Sequence, residues 1–152
     1  MIFQLRRKNY DEIAGENFDN ILDLFAEILF KGISFQLKRE LHKDYVSHSD
    51  SLTTVKGKID IVGSIRLKMQ RKRQLLCDYD EFSENNLHNR ILKSTVKLLL
   101  QSKDVNLKRR KALRSLMLFF EQVEDCDLKA IRWADITYDR NTATYKMLHH
   151  FC

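Results

Sequence analysis

Val55-Lys56-Gly57-Lys58-Ile59-Asp60-Ile61-Val62-Gly63-Ser64-Ile65-Arg66-Leu67-Lys68-Met69 alternates with unusual regularity. Val55, Gly57, Ile59, Ile61, Gly63, Ile65, Leu67 and Met69 fall on one side of an extended chain, and Lys56, Lys58, Asp60, Ser64, Arg66 and Lys68 on the other. The pattern predicts a long β-strand, with Gly57 and Gly63 allowing it to bend. Gln70 to Gln74 turn the chain, and Leu75, Cys77 and Tyr79 alternate on a return strand. The expected product is a projecting hairpin whose tip carries Arg66, Lys68, Arg71, Lys72 and Arg73 with no acidic residue among them.

Upstream, Phe18, Ile21, Leu22, Phe25, Ile28 and Leu29 recur at helical spacing, Asn17 is placed to cap the start, and Gly32 follows Lys31 as a stop. From Phe35 the period changes to two, so Phe35, Leu37, Leu41 and Tyr45 predict a first strand ending at the polar turn Ser47-His48-Ser49-Asp50-Ser51. Downstream, an acidic loop from Asp78 to Phe82 precedes Ser83, a cap for a helix with Leu87, Ile91, Leu92, Val96, Leu98 and Leu99 as its apolar positions. A second helix is predicted from Leu107 to Val123, making a helical hairpin with the first. Asp127 to Trp133 read as a connector with short extended structure, and a last helix as Asn141 to His150. The expected fold is α+β: an amphipathic N-terminal helix, a small antiparallel β-meander with a long basic hairpin, a helical hairpin and a C-terminal helix.

The chain has 152 residues, 43% of them hydrophobic and 32% charged, with no proline and four glycines. Such a chain folds as one ordered domain, 1–152, without disordered linkers. No apolar run approaches the roughly 20 residues that cross a bilayer, and the N-terminus lacks the order of a signal peptide, so the expectation is a cytoplasmic protein with no membrane partner. Ending on the apolar segment Met147-Leu148 to Phe151-Cys152 suggests that more protein once followed. Cys77, Cys126 and Cys152 lack paired spacing and are expected to be reduced. The formal net charge of +6 favours an anionic partner, either nucleic acid or an acidic protein surface.

The residues argue for docking rather than chemistry. A metal-dependent nuclease would need an acidic residue followed by acid-x-Lys on the next strand. Asp60 has no such partner nearby, and Asp127-Leu128-Lys129 lies far away in the connector. His42, His48, His88, His149 and His150 are scattered without cysteines at zinc spacing, and no phosphate-binding Gly-x-x-x-x-Gly-Lys loop is present. No catalytic and no metal residue is therefore assigned. Asn89, Arg90 and Lys93 occupy the first turns of the helix after Ser83, where they present a set of donors; internal roles are the alternative, with Arg90 pairing with Asp78, Asp80 or Glu81. Lys108, Arg109, Arg110, Lys111 and Arg114 crowd the start of the next helix, against its macrodipole. Together with the hairpin tip they define the alternative reading, a basic module that binds nucleic acid through phosphates.

Four blocks carry a resemblance. Phe18-Asp19-Asn20-Ile21-Leu22-Asp23-Leu24 with Lys31-Gly32, then Lys56-Gly57-Lys58-Ile59-Asp60, then Asn85-Asn86-Leu87-His88-Asn89-Arg90-Ile91-Leu92-Lys93-Ser94-Thr95, and finally Asp139-Arg140-Asn141-Thr142 with Tyr145-Lys146 resemble, in that order, the McrC family. McrC is the endonuclease subunit of McrBC, the 5-methylcytosine-dependent type IV restriction system that defends against foreign DNA. The resemblance implies an amino-terminal half that enters the pore of a McrB-like AAA+ GTPase hexamer and stimulates GTP hydrolysis. It also implies that GTP and Mg sit on the partner, that a divalent metal belongs to a nuclease domain beyond this chain, that this chain needs no cofactor of its own, and that DNA is met through the complex. The family motif carries over to Gly57, Lys58, Asn89, Arg90 and Lys93. Arg66, Lys68, Arg71, Lys72 and Arg73 are assigned to the partner from charge and placement alone.

Overall fold

Asn20 opens the first helix of the computed structural model, which describes residues 20–152. Its side chain accepts the Asp23 N–H at 2.9 Å and starts α1, Ile21–Leu37. The expected Asn17 cap and Phe18 lie outside the described residues. Gly32 does not end α1. A Cβ there would stand 2.2 Å from Leu148 Cδ2, so the glycine admits another helix at close range and the chain runs on to Leu37. Phe35 and Leu37, expected to begin a strand, are therefore helical.

The described residues form two compact units: 20–42 with Leu87–Cys152, and Lys43–Asn86. The first is helical, built from α1, α3 (Leu87–Gln101), α4 (Leu107–Leu116) and α5 (Ala143–His149), the numbering leaving α2 to the second unit. Ala26, Leu29 and Ile33 of α1 are buried with Leu92 and Val96 of α3, Leu113 and Leu116 of α4, and Tyr145 and Leu148 of α5. Each fully buried side chain of this size contributes about 1.5–3 kcal/mol. The helix predicted to run from Leu107 to Val123 instead tightens into a 3-10 turn at Met117–Phe120. Phe120 at the end of that turn, and Val123 three residues on, enter the same core as Leu116 while Leu118 and Phe119 stay outside. The connector holds 3-10 turns at Leu128–Ala130 and Trp133–Asp135 in place of extended structure. Asp127, weighed above as half of a nuclease motif, caps the first of them through the Lys129 N–H at 3.0 Å.

The second unit holds a three-stranded antiparallel sheet: β1 (Asp44–Leu52), β2 (Lys58–Asp60) and β3 (Leu75–Ser83), in the order β1-β3-β2. The order is not a meander, because β3 lies in the centre. It pairs with β1 from Asp44↔Ser83 to Leu52↔Leu75, and with β2 only from Lys58↔Asp78 to Asp60↔Leu76. The expected polar turn Ser47 to Ser51 lies within β1, and the expected acidic loop Asp78 to Phe82 within β3.

The largest correction falls on the alternating stretch. Extended pairing stops at Asp60, and Ile61–Met69 form a helix, α2, so the long basic hairpin does not exist. Asp60 ends the strand and caps the helix in one step, its Oδ1 accepting the Gly63 N–H at 3.1 Å. Ser64 Oγ accepts the Leu76 N–H at 2.9 Å, and a Cβ on Gly63 would meet Leu76 Cδ2 at 2.3 Å. Gly63 and Ser64 thus seat α2 directly on β3. Arg66 and Lys68 belong to this helix, and Arg71, Lys72 and Arg73 to the turn that leaves it. The fold remains α+β, with the sheet and helices in different proportions from those expected.

Candidate functional site

Gly57 enters β2 at φ +67, where a Cβ would lie 2.4 Å from the Asp78 carbonyl oxygen. Only glycine fits both that backbone and that approach, and it leaves Lys58 exposed beside it, opposite Asp78 on β3. At the far end of α2 the chain turns through Arg71 at φ 60. The Lys72 N–H donates to the Leu67 carbonyl at 3.0 Å and the Arg71 N–H to that of Lys68 at 2.9 Å, closing the helix with a left-handed residue. An arginine holds a place that glycine occupies more easily, and it carries its charge to the helix end. Arg66, Lys68, Arg71, Lys72 and Arg73 are all exposed there, where positive charge also complements the helix dipole. No carboxylate occurs from Ile61 through Cys77. The structure therefore gathers the five cations of the expected hairpin tip, on a helix and its C-terminal turn.

Across β1 and β3, Tyr79 donates its hydroxyl to Asp50 Oδ2 at 2.8 Å, and Lys56 Nζ lies 3.9 Å from the centre of its ring. The bond to Asp50, with burial and the nearby acids in lesser roles, pushes the Tyr79 phenol above its ordinary range. His48 stacks on the same ring, centroids 5.2 Å apart. These contacts stiffen a sheet that has little core of its own: Ser64, Cys77 and Asn86 are the buried residues of the second unit.

Asn89, Arg90 and Lys93 turn inward within the helical unit. Asn89 is fully buried, its Nδ2 donating to the His42 carbonyl at 2.8 Å and its Oδ1 accepting the Tyr145 hydroxyl at 2.8 Å. Tyr145 Oη in turn accepts the His42 N–H at 3.0 Å. One side chain thereby ties α3 to α5 and to the segment after α1. Arg90 pairs with Glu124 at 2.8 Å rather than with Asp78, Asp80 or Glu81, and Lys93 donates to the Val123 carbonyl. Asn89→Ala removes both amide bonds at once and is expected to destabilise the chain by about 1–3 kcal/mol, read as a lowered thermal midpoint. An unchanged midpoint would contradict the structural role given to it.

The second basic cluster is divided in the same way. Arg109 is buried against Asp23 and Glu27, and Arg110 Nη2 donates to the carbonyls of Ser102 at 2.8 Å and Val105 at 3.0 Å. Lys108, Lys111 and Arg114 remain on the surface. The unfavourable placement of cations at the start of α4 is offset by internal acceptors. Asp139 Oδ1 accepts the N–H groups of Asn141 and Thr142, both at 2.8 Å, forming the turn that feeds α5. The Thr142 backbone bond leads the causes that hold its carboxyl below the usual carboxylate range. Cys77, Cys126 and Cys152 are free thiols, and burial pushes that of Cys152 up to about 11.

A model of the family described as McrBC 5-methylcytosine restriction system component matches residues 2–152. The chain belongs to this family. Among its McrBC relatives is the type IV methyl-directed restriction enzyme EcoKMcrBC of Escherichia coli (strain K12), 26% identical over 149 residues. The match covers 98% of this chain and 42% of that protein. The fold is similar to a chain in the cryo-EM structure of the Thermococcus gammatolerans McrBC complex, with a TM-score of 0.69 and 21% identity over 95% of this chain and 44% of that one. A half-complex from the tetradecameric assembly of Thermococcus gammatolerans McrB AAA+ hexamers with bound McrC gives the same score and identity, covering 95% of this chain and 35% of the other. This McrBC family member thus shares its fold with less than half of each of those chains. Within the blocks that carried the resemblance, Gly57 and Asn89 are positions where the backbone and the core demand the residue. The apolar surface of α2 escapes a reading by alternation, which assigns its residues to the inner side of a strand. The signal is present in Asp60 as a cap and in Ile61, Ile65 and Met69 at spacings of four.

Proposed function

We propose that this chain is the ring-engaging part of an McrC-type subunit. It docks into the pore of a McrB-like AAA+ GTPase hexamer, stimulates GTP hydrolysis, and couples that hydrolysis to DNA cleavage by a nuclease portion outside this chain. The single observation that carries the reading is the exposed cationic end of α2, with Arg66, Lys68, Arg71, Lys72 and Arg73 free of any carboxylate in their own segment. Membership of the McrBC family and the shared fold support it. GTP and Mg belong to the partner in this reading, and a divalent metal to the nuclease portion. The system works in the cytoplasm on DNA carrying modified cytosine, and DNA reaches this chain through the complex. No described helix is long and apolar enough to cross a membrane.

The mechanism is activation by contact. Cations held at a helix end, close to a closed turn, meet acidic or carbonyl groups of the ring and bias its catalytic groups toward the geometry that stabilises charge on the transferred phosphoryl group. Mixing the chain with its cognate GTPase is expected to raise the hydrolysis rate. Arg71→Glu, Lys72→Glu and Arg73→Glu together are expected to reduce that stimulation at least about tenfold without unfolding the protein, because the three side chains are exposed. A chain that neither associates with the ring nor changes its rate would end the proposal.

A further inference from the structure

The second unit leaves an unusual share of its apolar surface in water. Ile61, Val62, Ile65 and Met69 of α2 are 70%, 61%, 54% and 79% exposed. At about 100° per residue these four fall within an arc of about 100°, with Lys68 about 20° beyond one border and Arg66 about 40° beyond the other. Gly63, Ser64 and Leu67 occupy the opposite side, where Gly63 and Ser64 meet Leu76 of β3. The helix is therefore held to the sheet through Gly63 and Ser64, with Leu67 on the same side, and turns four of its five large apolar residues outward. This inverts the ordinary arrangement of a surface helix, and a grouped apolar face rimmed by charge is the mark of a binding surface.

We propose that this face of α2 is the anchor of the chain on its protein partner. It seats in an apolar groove rimmed by carboxylates, and the hold comes from the aliphatic side chains while the cations set orientation. The inference rests on the ring-engaging reading and deepens it by naming the chemistry of the contact. Charge complementarity identifies the occupant: Arg66 and Lys68 flank the arc, Arg71, Lys72 and Arg73 follow it, and no acid lies between Ile61 and Cys77 to answer them. Asp60, the carboxylate that immediately precedes α2, is engaged by the Gly63 N–H. A protein groove is favoured over a lipid surface because the chain belongs to the McrBC family and shares its fold with a chain from an assembly of McrB AAA+ hexamers with bound McrC, which points to a protein partner.

The test compares the chain with I65Q/M69Q, which keeps helix propensity while removing the apolar face, and with R71Q/K72Q/R73Q. Both sets are exposed, so the thermal midpoint should hold. Binding to the cognate GTPase hexamer is measured at about 0.1 and 0.5 M salt, where screening weakens contacts between exposed charges. I65Q/M69Q is expected to weaken binding at least about thirtyfold at both salt concentrations. R71Q/K72Q/R73Q is expected to act chiefly on the association rate, with a smaller effect at high salt. If the unaltered chain binds the ring and I65Q/M69Q binds equally well, the anchor is wrong and the ring-engaging reading stands. If the unaltered chain does not bind the ring, both fall together. Binding to vesicles of phosphatidylcholine and phosphatidylserine that I65Q/M69Q abolishes would overturn the protein groove in favour of a lipid surface.

Discussion

Arg109→Ala is expected to remove about 3–5 kcal/mol of unfolding free energy, the cost of leaving buried charge without its partner. The guanidinium joins α4 to α1 through two carboxylates, its Nη1 2.6 Å from Asp23 Oδ2 and its Nε 3.2 Å from Glu27 Oε2. Asp23 is fully buried, and its other oxygen accepts the Asn106 N–H at 2.8 Å, at the residue that caps α4. Glu27 also pairs with Lys31 at 3.3 Å. Removing Arg109 therefore strands negative charge in the interior and loosens the start of α4 together with its contact to α1. Arg109→Lys keeps the charge but not the planar fork, and is expected to fall between the two. Urea unfolding measures both. A loss under about 1 kcal/mol for Arg109→Ala would place this pair with ordinary surface ion pairs, against the burial described.

Acid is expected to weaken the fold through His149 before the protein reaches strongly acidic pH. His149 Nε2 donates to the His88 carbonyl at 3.2 Å, which leaves Nδ1 to accept the Tyr138 hydroxyl at 2.8 Å. His88 stacks on its ring with centroids 5.5 Å apart, and Tyr145 and Trp133 stand edge-on at 6.1 Å each. Burial is the chief cause that lowers its pKa to about 4. The His88 carbonyl opposes that shift, and His88 and His150 reinforce it as neighbouring positive groups.

A folded pKa below the ordinary value of about 6.5 means that the unfolded chain binds the proton more readily. The contribution is complete above about pH 6.5 and is lost as the pH falls toward about 4, reaching about 3 kcal/mol in all. His149→Gln should remove much of that slope between pH 7 and 4 in urea unfolding, whatever its effect at neutral pH. Parallel stability curves for the two proteins would show that the imidazole is not the group that titrates.

Much of the helical unit is legible in the order of residues alone. Leu92, Val96 and Leu99, like Leu113 and Leu116, recur at helical spacing because one side of each helix must leave water. That requirement acts through neighbours on the same helix, so it is written locally. The cations are legible as a group as well, since Arg66 to Arg73 lie close along the chain whatever backbone carries them. Gly32 misleads because a glycine after a lysine spells a helix stop locally, whereas here it admits Leu148, which is remote in sequence. Arg109 and Asn89 are unreadable for the same reason. Their acceptors at Asp23, Glu27 and His42 lie far along the chain, and nothing beside them in sequence tells an inward donor from an outward one.

The sequence by itself determined the α+β class, the helical core and the presence of a carboxylate-free basic segment, because period and charge are properties of neighbouring residues. Only the tertiary structure decided whether that segment was strand or helix. Ile61 to Met69 satisfy both periods, since alternate positions and every fourth position overlap. Asp60 caps a helix, and Gly63 with Ser64 fits that helix against Leu76. That seat puts Ile61, Val62, Ile65 and Met69 on the outside, where local pattern would never have placed them.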